Sequence, residues 1–458
     1  MAGIGMEKLT GLNTLVFSSL EFLFRYLPFF LLVFFLVPNR FKPFALFSFS
    51  VVLYALGDPK YVLLLLGMAL VNYLFGRGVS GGSGKWLAAA VSCNAGLLAY
   101  FKLSNAFDAS FLLPVGISFY TFKSISYLVD VYRKRIPEER SFLRLATYLC
   151  MFPQIVSGPI MRYEDAWKGL TCDTYRLTRV EDGLKRVVAG LAAKVLIADR
   201  LGILWNDVQT VGFESISTPL AWLGMAAYSL QLYFDFAGYS LIAVGIGQMI
   251  GFPVIENFHY PYASRSVSEF YRRWHMTLGS WFKDYVYIPL GGSHKGMKRT
   301  VANLLLVWAL TGFWHGNGVH FLLWGLLLGA LVVVEKLWLG RFLAEHRILS
   351  HLYVLLVIPL TWIVFAVDSL PQIGIYFARL FPFFGVGEAV NPADFAKEFS
   401  IFAPTLAAAV LFSIPAAGIW CEKHRRNTAV VLALAVLFWM AVYRIANAAN
   451  NPFLYANF

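Results

Sequence analysis

Thr300-Val301-Ala302-Asn303-Leu304-Leu305-Leu306-Val307-Trp308-Ala309-Leu310-Thr311-Gly312-Phe313-Trp314-His315-Gly316 is the stretch on which the fold turns. Lys298 and Arg299 precede it, and the apolar run between them and Gly312 reads as a membrane-spanning helix. His315 stands at the end of that run. An ionisable side chain at membrane depth costs roughly 2.5–3.5 kcal/mol even on insertion scales, so such a residue is read first as functional. A helix starting at Thr300 would carry His315 about 22 Å along its axis, past the midplane of the bilayer.

The rest of the chain agrees with a membrane reading. Of 458 residues 59% are hydrophobic and only 14% charged, where soluble domains carry roughly 25% charged residues. Forty-one Phe, 23 Tyr and 13 Trp suit a helical bundle with aromatic anchors at both interfaces. The apolar runs are too long, and alternate too little, for a β-barrel. Candidate spans fall at 17–37, 43–57, 60–76, 86–101, 113–131, 185–205, 218–250, 300–317, 320–338, 352–368, 403–420 and 428–446. The expectation is an all-α polytopic protein of about 11–12 transmembrane helices with re-entrant segments. There is no internal repeat, and one integral-membrane domain over 1–458, with its motif-bearing core at 228–330, is the simplest organisation.

The net charge of +12 is distributed in a way that speaks for orientation rather than nucleic-acid binding. Lys and Arg gather in the connections around 40–42, 77–85, 133–144, 162–186, 265–299, 336–347 and 423–426, whereas 205–218 and 369–402 carry acids such as Asp207, Glu214, Glu388, Asp394 and Glu398. The basic connections belong on the cytoplasmic side, which puts both termini outside, in the inner or plasma membrane of the cell. Cys93, Cys150, Cys172 and Cys421 show neither disulfide nor metal spacing and read as packing residues. No metal site is expected.

Three stretches do not read as simple crossings. Residues 145–162, with Pro153, Gly158 and Pro159, are too broken for a straight span and suggest a re-entrant segment. Residues 264–296 mix aromatic and basic side chains around Arg272-Arg273-Trp274-His275. The run 218–250 exceeds one straight crossing and predicts a long tilted or kinked helix with Asp235 inside it.

His275 and His315 could therefore reach one channel from opposite sides. An imidazole with a reference pKa near 6.5 suits a general base that takes a proton from a hydroxyl attacking a carbonyl. There is no Gly-x-Ser-x-Gly elbow, phosphate-binding glycine loop or His-Glu-x-x-His, which suits direct acyl transfer without a covalent enzyme intermediate. Asp235 either orients a histidine or an acceptor hydroxyl, or holds two helices together. Arg272 and Arg273 are flanking charge or bind a phosphate-rich donor. His259 and His294 read as solvated and His320 as interfacial. Trp274, Trp314 and Asn317 complete the candidate substrate-binding set with Asp235, Arg272 and Arg273.

The same residues carry a family likeness. Phe234-Asp235-Phe236-Ala237-Gly238-Tyr239-Ser240, Glu256-Asn257-Phe258, Phe270-Tyr271-Arg272-Arg273-Trp274-His275-Met276, Trp281-Phe282-Lys283-Asp284-Tyr285 through Gly292, and Gly312-Phe313-Trp314-His315-Gly316 resemble the membrane-bound O-acyltransferases. Within that family the nearest likeness is to the alginate-type polysaccharide O-acetyltransferases, with the D-alanyl transferases as cousins. The resemblance implies that an acyl group passes from a cytoplasmic thioester, acetyl-CoA or another donor, to an extracytoplasmic acceptor, with no tightly bound cofactor. It implies His315 as the catalytic residue and His275 as lining the same conduit. The implied partners are the lipid bilayer, a polysaccharide acceptor and an exported acetyltransferase of the SGNH-hydrolase-like kind. Ala237 and Leu241 depart from the Ser and Asp that many members have there, which bears on acceptor choice rather than on the histidines. Two rivals stay open: D-alanyl-type transfer from an acyl carrier protein, and a non-enzymatic transporter.

Overall fold

A computed structural model of the chain describes residues 17–108, 113–155, 158–172, 176–384 and 389–447. Every regular element among them is helical. Seven helices are long and apolar enough to cross a membrane: Pro59–Ser80, Gly84–Phe107, Thr218–Met249, Val319–Glu345, Arg347–Ala366, Asp394–Ser413 and Thr428–Asn447, with Phe22–Leu36 a shorter apolar one. Lys42–Gly57, Ile117–Tyr132 and Met297–His315 supply helices at three further expected spans. The protein is a multi-pass, all-α membrane protein.

The described residues fall into two compact units. One comprises those up to Leu191, Gly238–Glu256, and those from Leu437 on. Its helices Val62–Ser80 and Gly84–Phe107 are joined by a reciprocal amide pair: Asn72 Nδ2 donates to Asn94 Oδ1 at 3.1 Å and Asn94 Nδ2 to Asn72 Oδ1 at 2.8 Å. Each amide also donates to the carbonyl one turn back on its own helix. Both side chains are therefore satisfied without water, which is what permits them in apolar helices. Lys123, fully buried on Ile117–Tyr132, solves the same problem with an amine. Its Nζ donates to the Tyr148 carbonyl in the last turn of Phe142–Cys150 and to Gln154 Oε1 at 3.0 Å. The expected break around Pro153 is present, the helix Phe142–Cys150 ending at Met151 and a one-turn helix Phe152–Ile155 following it; positions 156–157 of that stretch lie outside the described residues.

Glycine permits a close helix contact in this unit. A Cβ on Gly183 would lie 2.6 Å from the Gly245 carbonyl oxygen, one on Gly245 would lie 2.5 Å from that of Gly183, and one on Gly190 would lie 2.4 Å from that of Gly238. Leu177–Ala192 and Thr218–Met249 thus meet backbone to backbone, as small residues allow in membranes.

The other unit comprises Ala192–Ala237 and Asn257–Val436. Its centre is the hairpin of Met297–His315 and Val319–Val334. A Cβ on Gly325 would lie 2.4 Å from the Trp308 carbonyl oxygen, and one on Gly312 would lie 2.5 Å from that of Phe321, so the two helices are pressed together next to His315.

The long helix expected at 218–250 is present, and one other run differs from the sequence reading. The run 218–250 forms one uninterrupted helix, Thr218–Met249, of 32 residues; at 1.5 Å per residue it extends about 48 Å, more than a bilayer core. The run 403–420 is divided at Ile414-Pro415, because Pro415 opens the next helix and cannot continue the last. The preceding helix starts earlier, at Asp394, in what reads as a polar connection. There the Asp394 carboxylate accepts from Ser217 N at 2.8 Å, Ser217 Oγ at 2.5 Å and Phe395 N at 2.5 Å.

Candidate active site

His275 lies between two short helices, Val267–Arg273 and Met276–Phe282, and serves as N-cap of the second in a left-handed conformation, φ 45°, ψ 52°. Non-glycine residues seldom adopt this geometry, and where they do the surroundings hold them. Here the surroundings are residues 257–259. Met276 N donates to the Asn257 carbonyl and His259 N to the Arg273 carbonyl, both at 2.9 Å.

The Asn257 side chain fixes the imidazole. Its Oδ1 accepts from Thr277 N at 3.2 Å and Thr277 Oγ1 at 2.8 Å, and the same oxygen lies 3.2 Å from His275 Nδ1. A backbone N–H can only donate, so the amide atom facing Thr277 is oxygen, and His275 Nδ1 carries the proton. Nε2 is left as the lone-pair nitrogen. It is buried and has no hydrogen-bond partner among the described residues. His275 is 3% exposed and lies outside the crossing helices; burial pushes its pKa down, so it stays neutral.

His315 ends the helix Met297–His315 and is 5% exposed. Trp324 stands edge-on to it with ring centroids 5.0 Å apart, and Phe365 edge-on at 5.3 Å. Trp314 joins the two histidines: its ring lies 4.6 Å from that of His315 and 6.2 Å from that of His275. Phe236 closes the other flank of His275 at 4.7 Å. The two histidines picked from sequence therefore share one aromatic enclosure, with half-buried Trp314 between them.

The other candidates lie where different chemistry prevails. Asp235, on the helix Thr218–Met249, is paired with Lys194 at 2.6 Å, and Lys194 is also 2.6 Å from Asp199. Side-chain exposures of 1% for Asp235 and 2% for Lys194 make this a buried ion network joining two helices. Trp274 is buried in an aromatic stack with Phe270 at 5.4 Å, Trp362 at 5.1 Å and Phe258 at 5.1 Å. Arg273 is ion-paired with Glu269 at 2.6 Å, one turn earlier on its helix, whereas Arg272 is exposed. Asn317 is half-buried in the turn after His315.

His259 and His294 are exposed, as expected of polar connections, but His320 is buried. It folds over Gly318, where a Cβ would lie 2.3 Å from the imidazole, and packs at 4.0 Å on Phe321. Sequence reasoning assigned no role to Asn257, although it stands in the quoted Glu256-Asn257-Phe258. It also overlooked Lys194, which an ionisable residue inside the run 185–205 should have flagged by the argument applied to His315.

Comparison with known proteins gives a consistent set of relatives. The family model for the membrane-bound O-acyltransferase family matches residues 131–346. "Probable alginate O-acetylase AlgI" of Pseudomonas putida is 36% identical over 394 residues, covering 81% of this chain and 81% of its own. The peptidoglycan O-acetyltransferase of Helicobacter pylori is 31% identical over 413 residues, 78% of each chain. The teichoic acid D-alanyltransferase of Bacillus subtilis is 31% identical over 224 residues, 46% of this chain and 56% of its own.

Proposed function

The chain belongs to the membrane-bound O-acyltransferase family, and from that premise we propose that it takes an acetyl group from a cytoplasmic thioester, acetyl-CoA, and delivers it to a hydroxyl of an extracytoplasmic polysaccharide or to an exported acetyltransferase that completes the transfer. The acetyl reading is favoured over D-alanyl because the relatives named for O-acetylation run along 78–81% of this chain and the D-alanyl one along 46%. An alginate-like uronate polymer is the acceptor class suggested by the first of these names. The inner or plasma membrane is the site of action.

The observation that carries this reading is the pair of buried imidazoles joined through Trp314. In the reaction, His315 takes the proton of the acceptor hydroxyl as its oxygen adds to the thioester carbonyl. The tetrahedral intermediate collapses, the C–S bond breaks, and the thiolate recovers that proton from His315. No net proton is gained or lost. His275, kept neutral by burial, is a weak base, and base catalysis works best with a pKa near ambient pH. Its Nε2 lone pair instead accepts a hydrogen bond and orients a donor group of the acceptor. Arg272, exposed beside this segment, is available to the phosphates of the donor.

The test is the acetyl-ester content of exported polysaccharide in cells carrying the wild type, His315→Ala or His275→Ala at equal membrane abundance. Loss of general-base catalysis lowers transfer by about 10²–10⁴-fold, which is expected for His315→Ala. Unchanged acetylation in that variant refutes the assignment and returns the protein to the transporter reading.

A further inference from the structure

Glu335 is a buried acid, 4% exposed, inside the apolar membrane helix Val319–Glu345, and an ion in such a place calls for a reason. Three of its hydrogen bonds come from one short element, beside one from the Tyr353 hydroxyl on the helix Arg347–Ala366. Oε1 accepts from Val267 N at 2.5 Å, and Oε2 accepts from Ser268 N at 2.9 Å and Ser268 Oγ at 2.6 Å. These are the first residues of the helix Val267–Arg273, whose far end delivers Trp274 and His275. Arg265, just before that helix, makes the complementary link. Its guanidinium donates to Ser350 Oγ at 3.2 Å and to the carbonyls of Leu343 at 3.2 Å and Ala344 at 2.8 Å.

The helix that bears Glu335 also forms the hairpin with Met297–His315, pressed together at Gly312 and Gly325. One rigid hairpin therefore holds His315 directly and holds the His275 segment through one carboxylate. We propose that Glu335 is a positioning residue that sets the placement of His275 relative to His315. The inference rests on the acyl-transfer reading and adds to it a residue outside the aromatic enclosure.

The consequence is graded and specific to His275. Misplacing a catalytic group by about 1 Å costs on the order of 10²-fold in rate, so Glu335→Ala is expected to lower acetyl transfer by that order. Glu335→Gln, which keeps one acceptor oxygen, should lower it less. Ser268→Ala, which removes only one of the three bonds, should lower it least.

The deciding measurement combines Glu335→Ala and Glu335→Gln with His275→Ala, following incorporation of radiolabelled acetate into exported polysaccharide at matched membrane abundance. If Glu335 acts through His275, neither Glu335 substitution lowers the residual activity of His275→Ala further, the non-additivity of residues that share one interaction. Multiplicative losses in the double variants, or full activity in Glu335→Ala, overturn the proposal. Glu335→Gln keeps the test decisive if Glu335→Ala does not accumulate. A wild-type level in His275→Ala and His315→Ala would instead overturn the acyl-transfer reading itself, which is a separate result.

Discussion

Replacing Lys194 by Met tests whether Asp235 belongs to the chemistry or to the scaffold. Lys194 lies 2.6 Å from both Asp235 and Asp199. At an effective dielectric of about 20, a unit-charge pair at that separation attracts by about 6 kcal/mol, offset by several kcal/mol of desolvation for each ion. Lys194→Met leaves two carboxylates facing each other, Asp235 with a side chain 1% exposed, and breaking a buried pair in this way destabilises by about 3–5 kcal/mol. Asp235→Asn is milder. Lys194 keeps Asp199, the amide oxygen still accepts, and the loss is about 1–2 kcal/mol. The double variant Lys194→Met/Asp235→Asn should be more stable than Lys194→Met alone, because the most deeply buried charge has gone and only the less buried carboxylate, Asp199, remains. Thermal midpoints of the purified protein in detergent, read by tryptophan fluorescence, give the ranking, and labelled-acetate incorporation gives activity. Asp235→Asn should keep acetyl transfer within a few fold of wild type once abundance is matched. If it falls as far as His315→Ala while stability stays at the wild-type level, Asp235 serves the reaction and the scaffold argument is wrong.

Two further outcomes follow from particular contacts. Asn257→Leu keeps the volume but removes the oxygen that accepts from Thr277 and meets His275 Nδ1; stability should fall by about 1–3 kcal/mol and acetyl transfer by roughly 10–100-fold, checked by the same two assays. Gly245→Val places its Cβ about where the Gly183 carbonyl oxygen already stands, 2.5 Å away, and should cost about 1–3 kcal/mol or more through overpacking, read as reduced membrane abundance. Gly96→Ala, with nothing within 4 Å of the added carbon, is the control that should leave abundance unchanged.

The membrane class and the histidine pair were legible in the sequence for one physical reason. Apolar runs long enough to cross a bilayer have few other uses, and an ionisable residue at the end of one, such as His315, is conspicuous against that background. What was not legible depended on contacts between segments distant in sequence. Nothing local distinguishes an Asp235 that binds substrate from one paired with Lys194 on another helix. Trp274 is a candidate for substrate binding by its neighbours in sequence, and those neighbours do not show that Trp362, nearly ninety positions away, is among the rings that bury it. His320 read as interfacial because it closely follows His315; only the close approach allowed by Gly318 lets it fold inward. Asn257 was visible as part of a motif, but its function arises from the left-handed turn at His275, which no periodicity announces.

Burial of an ionisable group is thus a first filter, and hydrogen-bond satisfaction is the second. Lys123 is held by a carbonyl and an amide, Lys194 by two carboxylates, and Glu335 by two backbone N–H groups and the hydroxyls of Ser268 and Tyr353. Each is buried because the polypeptide supplies its partners, and each ties together elements that apolar packing alone would leave free to slide. His275 is built differently. Asn257 engages one ring nitrogen and leaves the other, also buried, with no partner among the described residues. An unpaired buried acceptor is unfavourable in a folded protein, and here the surrounding bonds hold it in one orientation instead of letting it relax. On the acyl-transfer proposal, a hydroxyl hydrogen of an incoming acceptor has the chemistry to meet that nitrogen.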